Sequence, residues 1–64
     1  MAERIEMGYM SEAVMVGDKE IIATTPVVIR MYPDECVVTV ILGKFDGLMF
    51  ILTEEQVDRC VVIM

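Results

Sequence analysis

Histidine is absent from this 64-residue chain. A serine or cysteine nucleophile therefore lacks its usual activating base, because no other side chain titrates near neutral pH unless its environment shifts it. Cysteine is scarce: Cys36 and Cys60 have neither the CxxC spacing of a zinc or redox site nor a histidine to complete a ligand set. Both stand inside apolar strings, where burial raises a thiol's pKa and makes it inert, and two reduced, buried thiols suit the cytosol. No glycine-rich phosphate cradle is present, and Asp18-Lys19-Glu20 lacks the oxygen-ligand spacing of a calcium loop. The carboxylate pairs Asp34-Glu35 and Glu54-Glu55 are adjacent in sequence, so their side chains diverge, and a turn and a helix start account for them. The expectation is a protein that is not an enzyme, with no catalytic residue, cofactor or metal ligand.

Basic residues are few as well. Five Lys and Arg stand against eleven Asp and Glu, a formal net charge of −6, and Lys19, Arg30, Lys44 and Arg59 are isolated from one another. No basic stripe is visible, and the overall field repels phosphate, which argues against nucleic acid as a partner. Acidity keeps a very apolar chain in solution and can attract a basic protein. Apolar runs fall far short of the roughly 18 residues that span a bilayer, which argues against a membrane. The charged start, Met1-Ala2-Glu3-Arg4-Ile5-Glu6, does not read as a secretory leader. The expected location is cytoplasmic.

What the chain has in abundance is apolar surface, at 56% hydrophobic residues. Its length suits one small domain, residues 1–64. Val37-Val38-Thr39-Val40-Ile41-Leu42 and Leu48-Met49-Phe50-Ile51-Leu52 are strand-like runs in which both alternating faces are apolar. A sheet covered on one side only would alternate apolar with polar, and a domain of about 60 residues buries only about 60% of the surface its unfolded chain exposes. The surplus predicts either a second layer or another subunit.

The order of elements reads as sheet first, helix late. Ile5, Met7 and Tyr9 share one face of a first strand, and the apolar set then changes phase to Val14 and Val16, which predicts a bulge or break near Gly8 to Glu12. Gly17-Asp18-Lys19 and Pro33-Asp34-Glu35 read as turns. Between them, Ile21 to Thr25 and Val27 to Tyr32 form one long strand or two, with Pro26 at an edge or kink. Asp46-Gly47 between apolar runs predicts a tight hairpin in which Phe45 faces Leu48 and Ile41 faces Leu52. That register puts Val38, Val40, Leu42, Met49 and Ile51 on one side.

Thr53-Glu54-Glu55-Gln56 matches a capping box, with two glutamates at the positive end of the helix dipole. Val57, Cys60, Val61 and Met64 then fall at i, i+3, i+4 and i+7, one apolar stripe for the sheet. The predicted fold is α+β, a small antiparallel β-meander of three to four strands with one short C-terminal helix packed on it. The alternative is a small all-β barrel with a final strand at 60–64, since Val61-Val62-Ile63 is β-branched.

The functional expectation is a small acidic protein-interaction module that self-associates, as a dimer or larger, and binds another protein as adaptor or inhibitor. The alternatives are a small-barrel nucleic-acid-binding protein and a purely structural subunit of a larger assembly. Seven methionines and two amphipathic tyrosines suit an adaptable interface. The candidate interface residues are Tyr9, Met31, Tyr32, Val38, Val40, Leu42, Met49 and Ile51.

Overall fold

Runs of β-branched and other apolar residues, punctuated by turn residues, become seven short strands and one helix in the computed structural model, which describes residues 4–64. The strands are β1 (Arg4–Met10), β2 (Val14–Val16), β3 (Lys19–Ile21), β4 (Pro26–Met31), β5 (Cys36–Val40), β6 (Met49–Leu52) and β7 (Val61–Ile63), with α1 (Glu54–Cys60) before the last. β6-β5-β4-β1-β7 form one antiparallel sheet in that order, while β2 and β3 pair as a separate two-stranded hairpin. The fold is α+β, with more strands than the three to four expected. Met1 to Glu3, part of the charged start, lie outside the described residues.

The turns fall where the turn residues stand. Gly17 and Asp18 link β2 to β3, with Val16 opposite Lys19. β1 stops at Met10 and the chain breaks before β2, which accounts for the change of apolar phase. Pro26 opens β4, a position where a missing N–H is tolerated; the strand expected from Ile21 to Thr25 does not form, since Ile21 ends β3 and residues 22–25 turn the chain into β4. After β4, the Tyr32 N–H donates to the Glu35 carbonyl (2.8 Å) and closes the turn at Pro33-Asp34.

The central hairpin differs from the tight Asp46-Gly47 turn. Val38 lies opposite Phe50 and Cys36 opposite Leu52, so β5 and β6 are joined by an eight-residue loop. A type I′ turn needs positive φ at both central residues, but only Gly47 takes it (φ 91) and Asp46 does not. Gly47 is instead the third residue of a turn closed by the Leu48 N–H to the Phe45 carbonyl (2.9 Å). The offset from the expected register is odd, which exchanges the two faces of one strand relative to the other. Val38 and Val40 therefore share a face with Phe50 and Leu52, and not with Met49 and Ile51.

The capping box forms as read. The Gln56 N–H donates to Thr53 Oγ1 (3.1 Å), and the Thr53 N–H donates to Gln56 Oε1 (2.9 Å). The helix ends at Cys60, however, and does not run on to Met64. Val61, Val62 and Ile63 are β-branched and lose side-chain freedom in a helix, while the free edge of β1 offers them a ladder: Tyr9 lies opposite Val62, and the Met64 N–H reaches the Met7 carbonyl (2.9 Å). A final strand thus follows the helix, yet β6 and β7 remain separate edges and no barrel closes. Ser11 secures the junction, its N–H donating to the Cys60 carbonyl (2.7 Å) and its hydroxyl to the Arg59 carbonyl (3.3 Å).

α1 carries the chain from one edge of the sheet to the other. At the far edge, β7 approaches β1 closely at Gly8. A Cβ there would press on the Val62 carbonyl oxygen, with the Val62 carbonyl carbon at 3.1 Å. The inner face, with Val27, Ile29, Val38, Val40 and Phe50, is buried together with Val57 and Cys60 of the helix and Ile21 of the hairpin. Val14 and Val16 pack against the same cluster.

Candidate interaction surface

One face of the sheet is covered by α1 and the β2–β3 hairpin; the other carries no element among the described residues. Directly opposed residues share a face, so the register across five strands defines the outer face as three rows. The first runs Ile51, Val37, Arg30, Ile5; the second Met49, Thr39, Val28, Met7, with Met64 beyond; the third Ile41, Pro26, Tyr9, Val62. Among the described residues of these rows, Arg30 is the single ionisable side chain besides the Tyr9 phenol, and no carboxylate side chain is present. The outer residues of the flanking strands are largely open, with Ile5 62%, Met7 53%, Met49 52% and Ile51 61% exposed. Taking about 200 Å² for a fully exposed large side chain, the exposed apolar residues of this face present on the order of 800 Å².

The eight residues expected to form one interface are divided by the fold. Tyr9, Met49 and Ile51 lie on the outer face. Val38 and Val40 point the other way and are buried in the chain's own core, out of reach of a second molecule. Met31 is half-buried against that core, and its sulfur accepts from Arg4 Nη2 (3.0 Å). Tyr32 is half-buried at the turn after β4, and Leu42 is exposed in the loop between β5 and β6. The outer face also carries Met7, Ile5, Val28 and Val37, which are not among the eight residues singled out from the sequence. The signal for the first two was present in the alternation of Ile5, Met7 and Tyr9; for the others it depended on the strand register.

A groove of about 600 Å³ opens between the β2–β3 hairpin and the loop after β5, lined among others by Ile22, Thr24, Leu42 and Phe45. Lys19 and Lys44 stand in its wall with Asp18 and Glu20, so the formal charges cancel. Lys19 Nζ lies 3.3 Å from Asp18 Oδ1, and Lys44 Nζ lies 5.5 Å from the centre of the Phe45 ring. Thr24 has positive φ (72), held by its N–H to the Met10 carbonyl (2.7 Å). Among the described residues, no buried side-chain nitrogen or oxygen lacks a hydrogen-bond partner, and no three His, Cys, Asp or Glu side chains converge as metal ligands.

Both cysteines are free and buried. Desolvation pushes the Cys36 thiol up from its ordinary 9.0, with Glu54 and Asp58 adding to the rise and Arg4 opposing it. The Cys60 thiol donates to Glu12 Oε1 (3.1 Å) and ties α1 to the segment after β1. No helix among the described residues is long and apolar enough to cross a membrane. Comparison of the chain with protein-family models, with curated proteins and with solved structures gives no match.

Proposed function

We propose that this chain is a small acidic protein-interaction module of the cytoplasm, an adaptor or inhibitor that self-associates and acts by occupying a surface on another protein, and that the outer sheet face is one of its contact surfaces. The observation that carries this reading is the uncovered outer face. Single exposed apolar residues are ordinary on any protein, but contiguous apolar patches beyond a few hundred Å² mark interaction sites. The methionines of that face, Met7, Met49 and Met64, are unbranched and can adapt to a partner's contour. Two free, buried thiols suit a reducing compartment. The mechanism needs only occupancy of a surface and no catalytic group.

The test is photo-cross-linking in native lysate, with a photo-reactive residue replacing Ile51 on the outer face. A second protein carries it in place of Met15, which is 62% exposed on the separate hairpin. Discrete protein adducts from position 51 and none from position 15 are the expected result. The absence of any protein adduct at position 51 would refute the contact surface.

A further inference from the structure

We infer that the occupant of the outer face is a second copy of this chain, packed sheet against sheet about a two-fold axis. This rests on the reading of that face as a contact surface and names what sits on it. The area is right for such a dimer. The face presents on the order of 800 Å², and an association of ordinary size buries about 800 Å² on each partner. Two sheets brought face to face pack about 10 Å apart with their strands roughly 30° from parallel, and a two-fold axis lets the same patch serve both copies.

Charge selects among occupants. Among the described residues, the carboxylate side chains lie on the helix, the hairpin, the turns and the inner side of β1, outside all three rows. A basic protein drawn to a body of net charge −6 would find, among the described residues of this face, only the like charge of Arg30. An acidic ligand or a phosphate backbone would meet one guanidinium in an apolar field, on a body whose net charge of −6 repels it. An apolar face of matching composition meets neither objection. Arg30 stands in the end row of the central strand, where its aliphatic stem can lie against apolar neighbours while the guanidinium reaches water at the rim. Two copies of charge −6 still repel as whole bodies, so added salt should tighten the dimer, opposite to its effect on an acidic module bound to a basic partner.

Sedimentation equilibrium of the intact chain, with Met49→Glu, Met7→Glu and Met15→Glu beside it, tests this. The expected result is twice the 7.2 kDa chain mass for the wild type and for Met15→Glu. The two outer-face variants should sediment as monomers with unchanged far-UV circular dichroism, since their side chains are solvated in the monomer. The wild-type dissociation constant should fall several-fold between about 0.05 M and about 0.5 M salt. A wild type that stays monomeric across the concentration range overturns the second copy. If position 51 still cross-links to a different protein, the contact surface itself survives that failure. A dimer that persists in both outer-face variants places the contact elsewhere, for example on the open edge of β6, and overturns the inference as well.

Discussion

Replacing Gly8 with alanine should dislodge the last strand. The added Cβ would press on the Val62 carbonyl oxygen and lie 3.1 Å from the Val62 carbonyl carbon and 3.3 Å from Ile63 Cα. All three are backbone atoms, so no side-chain rotation relieves the contact and β7 itself has to move. Overpacking of this kind costs about 1–3 kcal/mol. Displacing Val61, which is 6% exposed, forfeits part of the roughly 1.5–3 kcal/mol gained by burying a valine. Against this, alanine stiffens the unfolded chain and returns about 0.4–1 kcal/mol. The net loss should be about 2 kcal/mol, which for a domain of this size lowers Tm by about 8–16 °C. Thermal melts at one fixed protein concentration measure it, and amide exchange locates it: the Met64 N–H, bonded to the Met7 carbonyl, should lose protection. Gly47→Ala is the comparison, because a Cβ there meets nothing within 4 Å. Its cost, about 1–2 kcal/mol, comes from positive φ alone and should leave Met64 protected. A Gly8→Ala melt within about 2 °C of wild type would refute the close approach of β7 to β1.

Thr53→Ala removes the oxygen that accepts the Gln56 N–H and should cost about 1 kcal/mol in urea unfolding; a loss under about 0.3 kcal/mol would mean the box does not hold the helix. Val40→Glu puts a carboxylate into the core beside Val27 and Ile29 and should unfold the chain, visible as loss of amide dispersion in a proton–nitrogen spectrum; a folded Val40→Glu monomer would return Val40 to the surface. The Cys36 thiol titrates higher in the folded chain than in the unfolded one, so the native state holds the proton more tightly. Its contribution is complete below the unfolded pKa near 9.0 and is lost as pH rises from there through the folded value. Stability should therefore fall faster above about pH 9 in the wild type than in Cys36→Ala, and equal slopes would show that desolvation of Cys36 does not shift it.

Features set by neighbours in sequence were legible before the fold was known. Thr53 and Gln56 are three residues apart and form the capping box whatever lies beyond them. Gly17-Asp18 turns the chain without help from tertiary structure, and the alternation of Ile5, Met7 and Tyr9 needs only the pleat of one strand. The misread features depend on distant partners. Val61 to Ile63 continue an apolar helical stripe in sequence, yet the edge of β1, some fifty residues earlier, offers them a ladder that β-branched residues fill better. In β5 both faces are apolar, so the pattern could not say whether Val38 and Val40 or Val37 and Thr39 point inward. That choice is made by β4, which sets Val38 against Ile29 and Val40 against Val27 beneath the helix and hairpin. The candidate surface was thus half legible: an uncovered apolar face was foreseen, but the register decides which residues belong to it.

If the outer sheet face is covered in solution, the chain's own methionines should report it. Met7 and Met49 lie on that face and Met15 lies on the hairpin, with similar exposures of 53%, 52% and 62% in the single chain, while Met10 is buried. Mild peroxide converts accessible methionine to sulfoxide, and mass spectrometry of the fragments gives a rate for each residue. Met7 and Met49 should react several-fold more slowly than Met15 at high protein concentration and approach its rate on dilution, with Met10 slow throughout. Equal rates for Met7, Met49 and Met15 at every concentration would contradict it.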